Sequence, residues 1–234
     1  MLAILAGQVF SLLSSIVITN AFGTGIENEA FNAANRLPDI LYNLVAGGAL
    51  ASAFIPTFTA LLTKGERSKA WYLASAIANL ITIIFILLGI LIAVFAPWVV
   101  RTILAPGFTD PEKFKLTVDL VRIQLLAPII FGLSGLSMGI LNSHRSFLWP
   151  ALAPMMYSIG KILGVVLLAP SMGVYGLAIG VVVGALLHGL IQFLIFRRLD
   201  EEREGERGEG FTRAALSKGR RLESKSLRQK SCAC

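Results

Sequence analysis

Residues 70–96 read AWYLASAIANLITIIFILLGILIAVFA, a run without one charged side chain. A bilayer core of roughly 30 Å is crossed by about 20 apolar residues in a helix. This run exceeds that length, and five more stretches meet it: Met1 to Phe22, Asp39 to Leu62, Leu116 to Leu141, Phe147 to Ala169 and Val174 to Phe196. The chain therefore reads as all-α, a polytopic transmembrane helical bundle of six spans. Of its 234 residues, 55% are hydrophobic and 15% charged, with a mean hydropathy of +0.73. A soluble domain usually carries about 25% charged residues. The charge is also unevenly placed: residues 197–234 hold 11 of the 21 Lys+Arg and 7 of the 14 Asp+Glu. That pattern excludes a soluble enzyme, a disordered chain and a nucleic-acid-binding domain. It divides the protein into a six-helix lobe, 1–198, and a charged tail, 199–234, expected to be partly disordered.

The joints fit short antiparallel connections. Gly23-Thr24-Gly25 ends the first span, and Lys64-Gly65-Glu66-Arg67 separates the second from the third. Ala105-Pro106-Gly107-Phe108 turns into a loop of mixed charge. Asn142-Ser143-His144-Arg145 and Pro170-Ser171-Met172-Gly173 read as hairpins. The first span lacks the basic flank of a signal peptide and reads as a helix that Met1 enters part-way. Lys64, Arg67, Lys69 and Arg145 share one side with Arg197, Arg198 and the tail; Arg36, Arg101, Lys113 and Lys115 share the other. The tail breaks this tie and puts loops 2–3 and 4–5, with both termini, in the cytoplasm. Cys232 and Cys234 are the only cysteines, so neither a disulfide framework nor a metal site is expected. No cofactor is implied.

In lipid, helices are held by close packing at small residues and by interhelical hydrogen bonds. Gly176, Gly180 and Gly184 recur every four residues in the sixth span, with His188 next on that face; Gly135 and Gly139 repeat the spacing in the fourth. Pro56, Pro128 and Pro154 fall inside spans or near their ends, where they kink helices. The residues leave two readings open, plain bundle packing or helices that bend during transport.

Ionisable groups at bilayer depth usually face a cavity or a partner. Lys161 is the deepest, near the middle of the fifth span. Asp119 and Arg122, three apart, share a helix face and read as an interfacial ion pair. Glu27, Glu29, Arg36 and Asp39 crowd the first joint, where a solvated loop competes with a cavity mouth lined by Asn35, Arg36, Tyr42 and Asn43 and suited to an anion. The motifs of nucleophile elbow, phosphate-binding loop and zinc hydrolase are missing, so the chain reads as a non-enzyme.

Several motifs in order resemble one family. Phe22-Gly23-Thr24-Gly25, Glu29-Ala30-Phe31, Arg36-Leu37-Pro38, Ala46-Gly47-Gly48-Ala49 and Ala53-Phe54-Ile55-Pro56 are similar to the signature of the MurJ/MviN lipid II flippases. Ala105-Pro106-Gly107-Phe108, Gly139-Ile140-Leu141-Asn142 and Pro150-Ala151-Leu152-Ala153-Pro154 continue it, so that the resemblance covers residues 8–198. It implies one lobe of a two-lobed transporter of the multidrug/oligosaccharidyl-lipid/polysaccharide (MOP) exporter superfamily. It implies a substrate too, the undecaprenyl-diphosphate-linked peptidoglycan precursor, carried across the bacterial inner membrane by alternating access. The partners implied are membrane lipid, that precursor and a C-terminal lobe or partner chain, with no nucleic acid.

Two departures stand out. Gln8, Ser14 and Tyr42 occupy positions where the resemblance leads one to expect arginines, and Gly47 one where it leads one to expect an acid. Glu29 and Arg36 do match an acid and a base, and are expected to bias a gate lined by Asn35, Tyr42 and Asn43, with Lys161 the deep charge for diphosphate. The chain also ends after one lobe and reads as a truncated N-terminal half. The alternatives are a polysaccharide or drug exporter of the same superfamily, or a non-transporting membrane scaffold or remnant.

Overall fold

Turn and cap chemistry divides the chain into helices. A computed structural model describes residues 2–43, 54–143, 148–195 and 197–198. The helices are α1 (Leu2–Phe22), α2 (Ile26–Asn43), α3 (Ile55–Thr63), α4 (Arg67–Val94), α5 (Ala96–Val99), α6 (Pro111–Gln124), α7 (Leu126–Ser143), α8 (Leu148–Leu163), α9 (Ala169–Met172) and α10 (Val174–Ile195). One π-helical turn, Val100–Leu104, continues α5, and another, Gly164–Leu168, joins α8 to α9. No strand occurs among the described residues.

Five segments are long and apolar enough to span a bilayer: Leu5–Phe22, Arg67–Val94, Pro111–Asn142, Leu152–Met172 and Val174–Ile195. The remaining expected span, 39–62, begins in α2 and ends in α3, and its middle lies outside the described residues, as does the tail at 199–234. The chain divides into two units, Met1–Phe193 and Leu194–Cys234. The packing below belongs to the first.

Stops and starts follow the residues. Gly65 closes α3 at φ +79°, a left-handed conformation that costs glycine little. Its N–H donates to Leu62 O at 3.1 Å and that of Glu66 to Leu61 O at 3.0 Å, the paired bonds of a glycine C-cap. Asp110 starts α6: its carboxylate accepts from the Glu112 N–H at 2.9 Å, and Pro111 follows in the first turn. The α6–α7 rod breaks at Leu125, three residues before Pro128, which has no N–H to return to Gln124.

Three expected joints differ from the structure. The polar run after Gly25 is not a loop: α2 begins at Ile26. Ala30, Phe31, Ala33, Ala34, Leu37 and Leu41 recur at helical spacing and are buried, and α2 packs chiefly on α6. The mixed-charge segment after Phe108 is helical too, so the fourth span starts at Pro111 rather than Leu116. Pro170-Ser171-Met172 extends the fifth span as α9, leaving Gly173 as the turn.

The remaining layers are α1 against α8, and α4 against α7 with α3 beside both. At Gly132 an added methyl would press on Ile81 Cγ2 at 2.7 Å and on the Phe85 ring at 2.9 Å, so glycine lets α4 and α7 meet closely. Gly139 receives Phe54 in the same way, and Gly135 is buried. The expected Gly176–Gly180–Gly184 face is a seam. Its partners are Gly160 and Gly164 on the α8 side, so α10 and α8 approach backbone to backbone. Away from these contacts, Leu80, Ile83, Ile84, Leu87, Ile90, Leu91 and Val94 leave α4 with one exposed apolar stripe, the surface of a helix facing acyl chains.

Candidate functional site

The crowd of polar residues on α2 separates onto two helix faces. Glu29, Asn32, Ala33 and Arg36 stand at i, i+3, i+4 and i+7 and line a cleft of about 510 Å³, closed by Leu104 to Phe108 and by Lys113. The Lys113 ammonium pairs with the Glu29 carboxylate and sits 4.0 Å above the Phe108 ring. Asn28 anchors this end of α2: its amide donates to Gly23 O at 2.5 Å and accepts from Asn32 at 2.9 Å. Lys113, expected in a loop, is thus the cross-link from α6 to α2.

Asn35 and Asp39, four apart, lie on a neighbouring face, and Asn35 meets α8. The Asn35 amide donates to Asp39 Oδ2 at 3.0 Å, and the Tyr157 O–H donates to Asn35 Oδ1 at 3.3 Å. The Lys161 ammonium lies over the Tyr157 ring, 4.7 Å from its centroid. Lys161 is half-buried. It sits nine residues from Leu152 and eleven from Met172 in its span, roughly 14 and 16 Å from the two ends at 1.5 Å per residue. The aromatic contacts continue inward. Phe131 meets Tyr157 edge-on at 5.2 Å and His188 edge-on at 5.3 Å.

The structure thus brings Glu29 and Arg36 together at one place, Asn35 and Lys161 at another. Asn43 is exposed at the end of α2, and the side chain of Tyr42 lies outside the described part of the structure. Asp119 and Arg122 do pair, at 3.9 Å. Arg122 also donates to Ala93 O at 3.3 Å, so this pair joins α6 to α4. His188 is buried: its Nδ1 is 2.7 Å from Ser134 Oγ, which lies 3.0 Å from Gln192 Oε1. These bonds tie α10 to α7. Gln8 is exposed on α1, whereas Ser14 is fully buried. Sequence spacing flagged Lys161 by its depth, but Tyr157 and Asp39 as its neighbours needed the helix contacts. No cluster of metal-ligating side chains occurs among the described residues.

Comparison with known proteins adds to this geometry. A family model described as lipid II flippase MurJ matches residues 18–216. The lipid II flippase MurJ of Burkholderia cenocepacia is 30% identical over 198 residues, which are 84% of this chain and 38% of that protein. A solved structure of lipid II flippase MurJ in an inward closed conformation superposes with a TM-score of 0.64 at 25% identity, covering 79% of this chain and 40% of that one. A MOP superfamily transporter from Pyrococcus furiosus shares the fold, with a TM-score of 0.59 at 16% identity over 82% of this chain and 42% of that one. The chain spans about two fifths of the length of the relatives it matches.

Proposed function

This chain belongs to the lipid II flippase MurJ family, and from that premise we propose that it forms the N-terminal lobe of a carrier for a polyprenyl-diphosphate-linked peptidoglycan precursor. The lobe works with a second lobe in the bacterial inner membrane. Rocking of one against the other exposes the site to each leaflet in turn. Loops 2–3 and 4–5, with the tail and both termini, face the cytoplasm.

One observation carries the reading most directly. An ammonium half-way through a membrane span sits in a polar patch shared by α2 and α8 rather than against lipid. Such groups are costly at that depth and serve substrate or ion pathways. Lys161 supplies the positive charge that a diphosphate needs, while Tyr157 and Asn35 hold its surroundings in place. Glu29 and Arg36, in the cleft beside α2, bias the gate. Asp119 pairs with Arg122. It therefore gives the ion-driven exporter reading no support.

The test is transfer of fluorescent lipid II between leaflets of proteoliposomes that hold the chain with its second lobe. Lys161→Met is expected to lower the initial rate at least about fivefold, and Arg36→Ala to lower it less. A Lys161→Met rate equal to that of the unsubstituted protein removes the role given to Lys161.

A further inference from the structure

We propose that Asp39 is the resident counter-ion of Lys161, which a diphosphate headgroup displaces electrostatically when it binds. This rests on the reading above that Lys161 meets such a headgroup.

The quartet on α2 and α8 has an unusual arrangement for two opposite charges. Lys161 and Asp39 are linked through Tyr157 and Asn35, yet they make no direct ion pair among the described residues. Each is held by a third party. Asn35 anchors the carboxylate, and the Tyr157 ring lies under the ammonium. Tyr157 and Asn35 are joined to each other, so a chain of side-chain contacts connects the two charges. Among the described residues α2 and α8 meet here through side chains and not by close backbone approach, in contrast to the α8–α10 seam.

The consequence follows from charge balance. An isolated ammonium in the middle of a span is strongly disfavoured. Asp39 offsets that cost from a distance, so the site can stand empty. It leaves the ammonium's own hydrogen-bonding directions open to a phosphate oxygen. A phosphate in contact with Lys161 is closer than Asp39 and interacts more strongly, since the Coulomb energy varies inversely with distance. Asp39 therefore weakens binding and speeds release, which a carrier needs on the delivery side. Arg36 lines the other cleft and makes no ion pair with Asp39 among the described residues. Gln8 and Ser14 put no charge on α1.

The experiment measures binding of undecaprenyl diphosphate to the whole chain in lipid nanodiscs, with inorganic pyrophosphate run in parallel. Asp39→Asn keeps an acceptor for Asn35 and removes the charge. It is expected to tighten Kd about five- to tenfold, a Coulombic gain discounted for exposure. Lys161→Met is expected to weaken binding at least tenfold, and the double variant to show no gain over Lys161→Met. Asp39→Ser is carried as a second charge-removing variant, with helicity checked for each.

A tighter Kd for the lipid alone assigns the site to the lipid-linked headgroup, and one for both probes to any diphosphate; both support the proposal. No gain from Asp39→Asn or Asp39→Ser, with Lys161→Met still weak, overturns it and leaves the role of Lys161 intact. A gain that persists in the double variant also overturns it, because the effect then bypasses Lys161. Full binding by Lys161→Met overturns both readings.

Discussion

Substituting Gly180 by alanine tests the seam that joins α10 to α8. A methyl at Gly180 would stand 2.7 Å from Gly164 Cα and 2.9 Å from Gly160 O. Carbon atoms settle at about 3.5–4.0 Å, so the seam must open by roughly 1 Å. A gap of that size forfeits about a quarter to a half of each contact, and each contact is worth about 0.1–0.2 kcal/mol. Taking roughly 40 contacts, as for one buried leucine, the loss is about 2 kcal/mol. That falls inside the range of about 1–3 kcal/mol for an overfilled core. It corresponds to roughly 30-fold in the folding equilibrium. Gly89→Ala in α4 is the internal control, because nothing lies within 4 Å of the added methyl. There the helix preference of alanine is expected to stabilise by about 0.5–1 kcal/mol. The assay is unfolding of the detergent-solubilised chain by added sodium dodecyl sulfate, followed by helicity and tryptophan emission. The midpoint should fall for Gly180→Ala and hold or rise for Gly89→Ala. Equal midpoints for the two variants would refute the seam as a determinant of stability.

Three further outcomes follow from named contacts. Ser134→Ala deprives His188 and Gln192 of the hydroxyl they share, and the same unfolding assay should show a loss of about 1–3 kcal/mol; a loss under a few tenths would mean the network relaxes freely. Asp110→Ala removes the α6 cap and should cost about 1 kcal/mol, with Asp110→Asn restoring most of it. Glu29→Gln breaks the pair with Lys113, but Glu29 is 54% exposed, so stability should change by less than about 1 kcal/mol; a larger change would mean that this pair holds α2 to α6.

How much of this was readable in the chain depends on what each segment packs against. The span around α4 was plain because nearly all its residues suit lipid or the bundle interior, and composition alone reports that. The glycines of α10 were plain for a similar reason, since a fourfold spacing defines a face. Their partners were not, because Gly160 and Gly164 face them only once α8 turns back on α10. The helix α2 was hidden by its charges. Glu27, Glu29, Arg36 and Asp39 resemble a solvated joint when counted, and resolve into stripes only when Ala30, Phe31, Ala34, Leu37 and Leu41 are read at helical spacing. At the candidate site, depth singled out Lys161, but depth is a property of one helix. The neighbours Tyr157 and Asp39 depend on how two helices cross, and sequence spacing within each carries no record of that.

The two-sided character of α2 has a mechanical consequence. Glu29 and Arg36 point into one compartment while Asn35 and Asp39 engage another, and all four ride on a single helix. Successive residues are set about 100° apart, so any roll of that rod displaces both sets together. The helix is therefore a camshaft. A ligand that turned it at the Asn35–Asp39 patch would alter the Glu29–Lys113 contact at the cleft, and thermodynamic reciprocity requires the converse by the same factor.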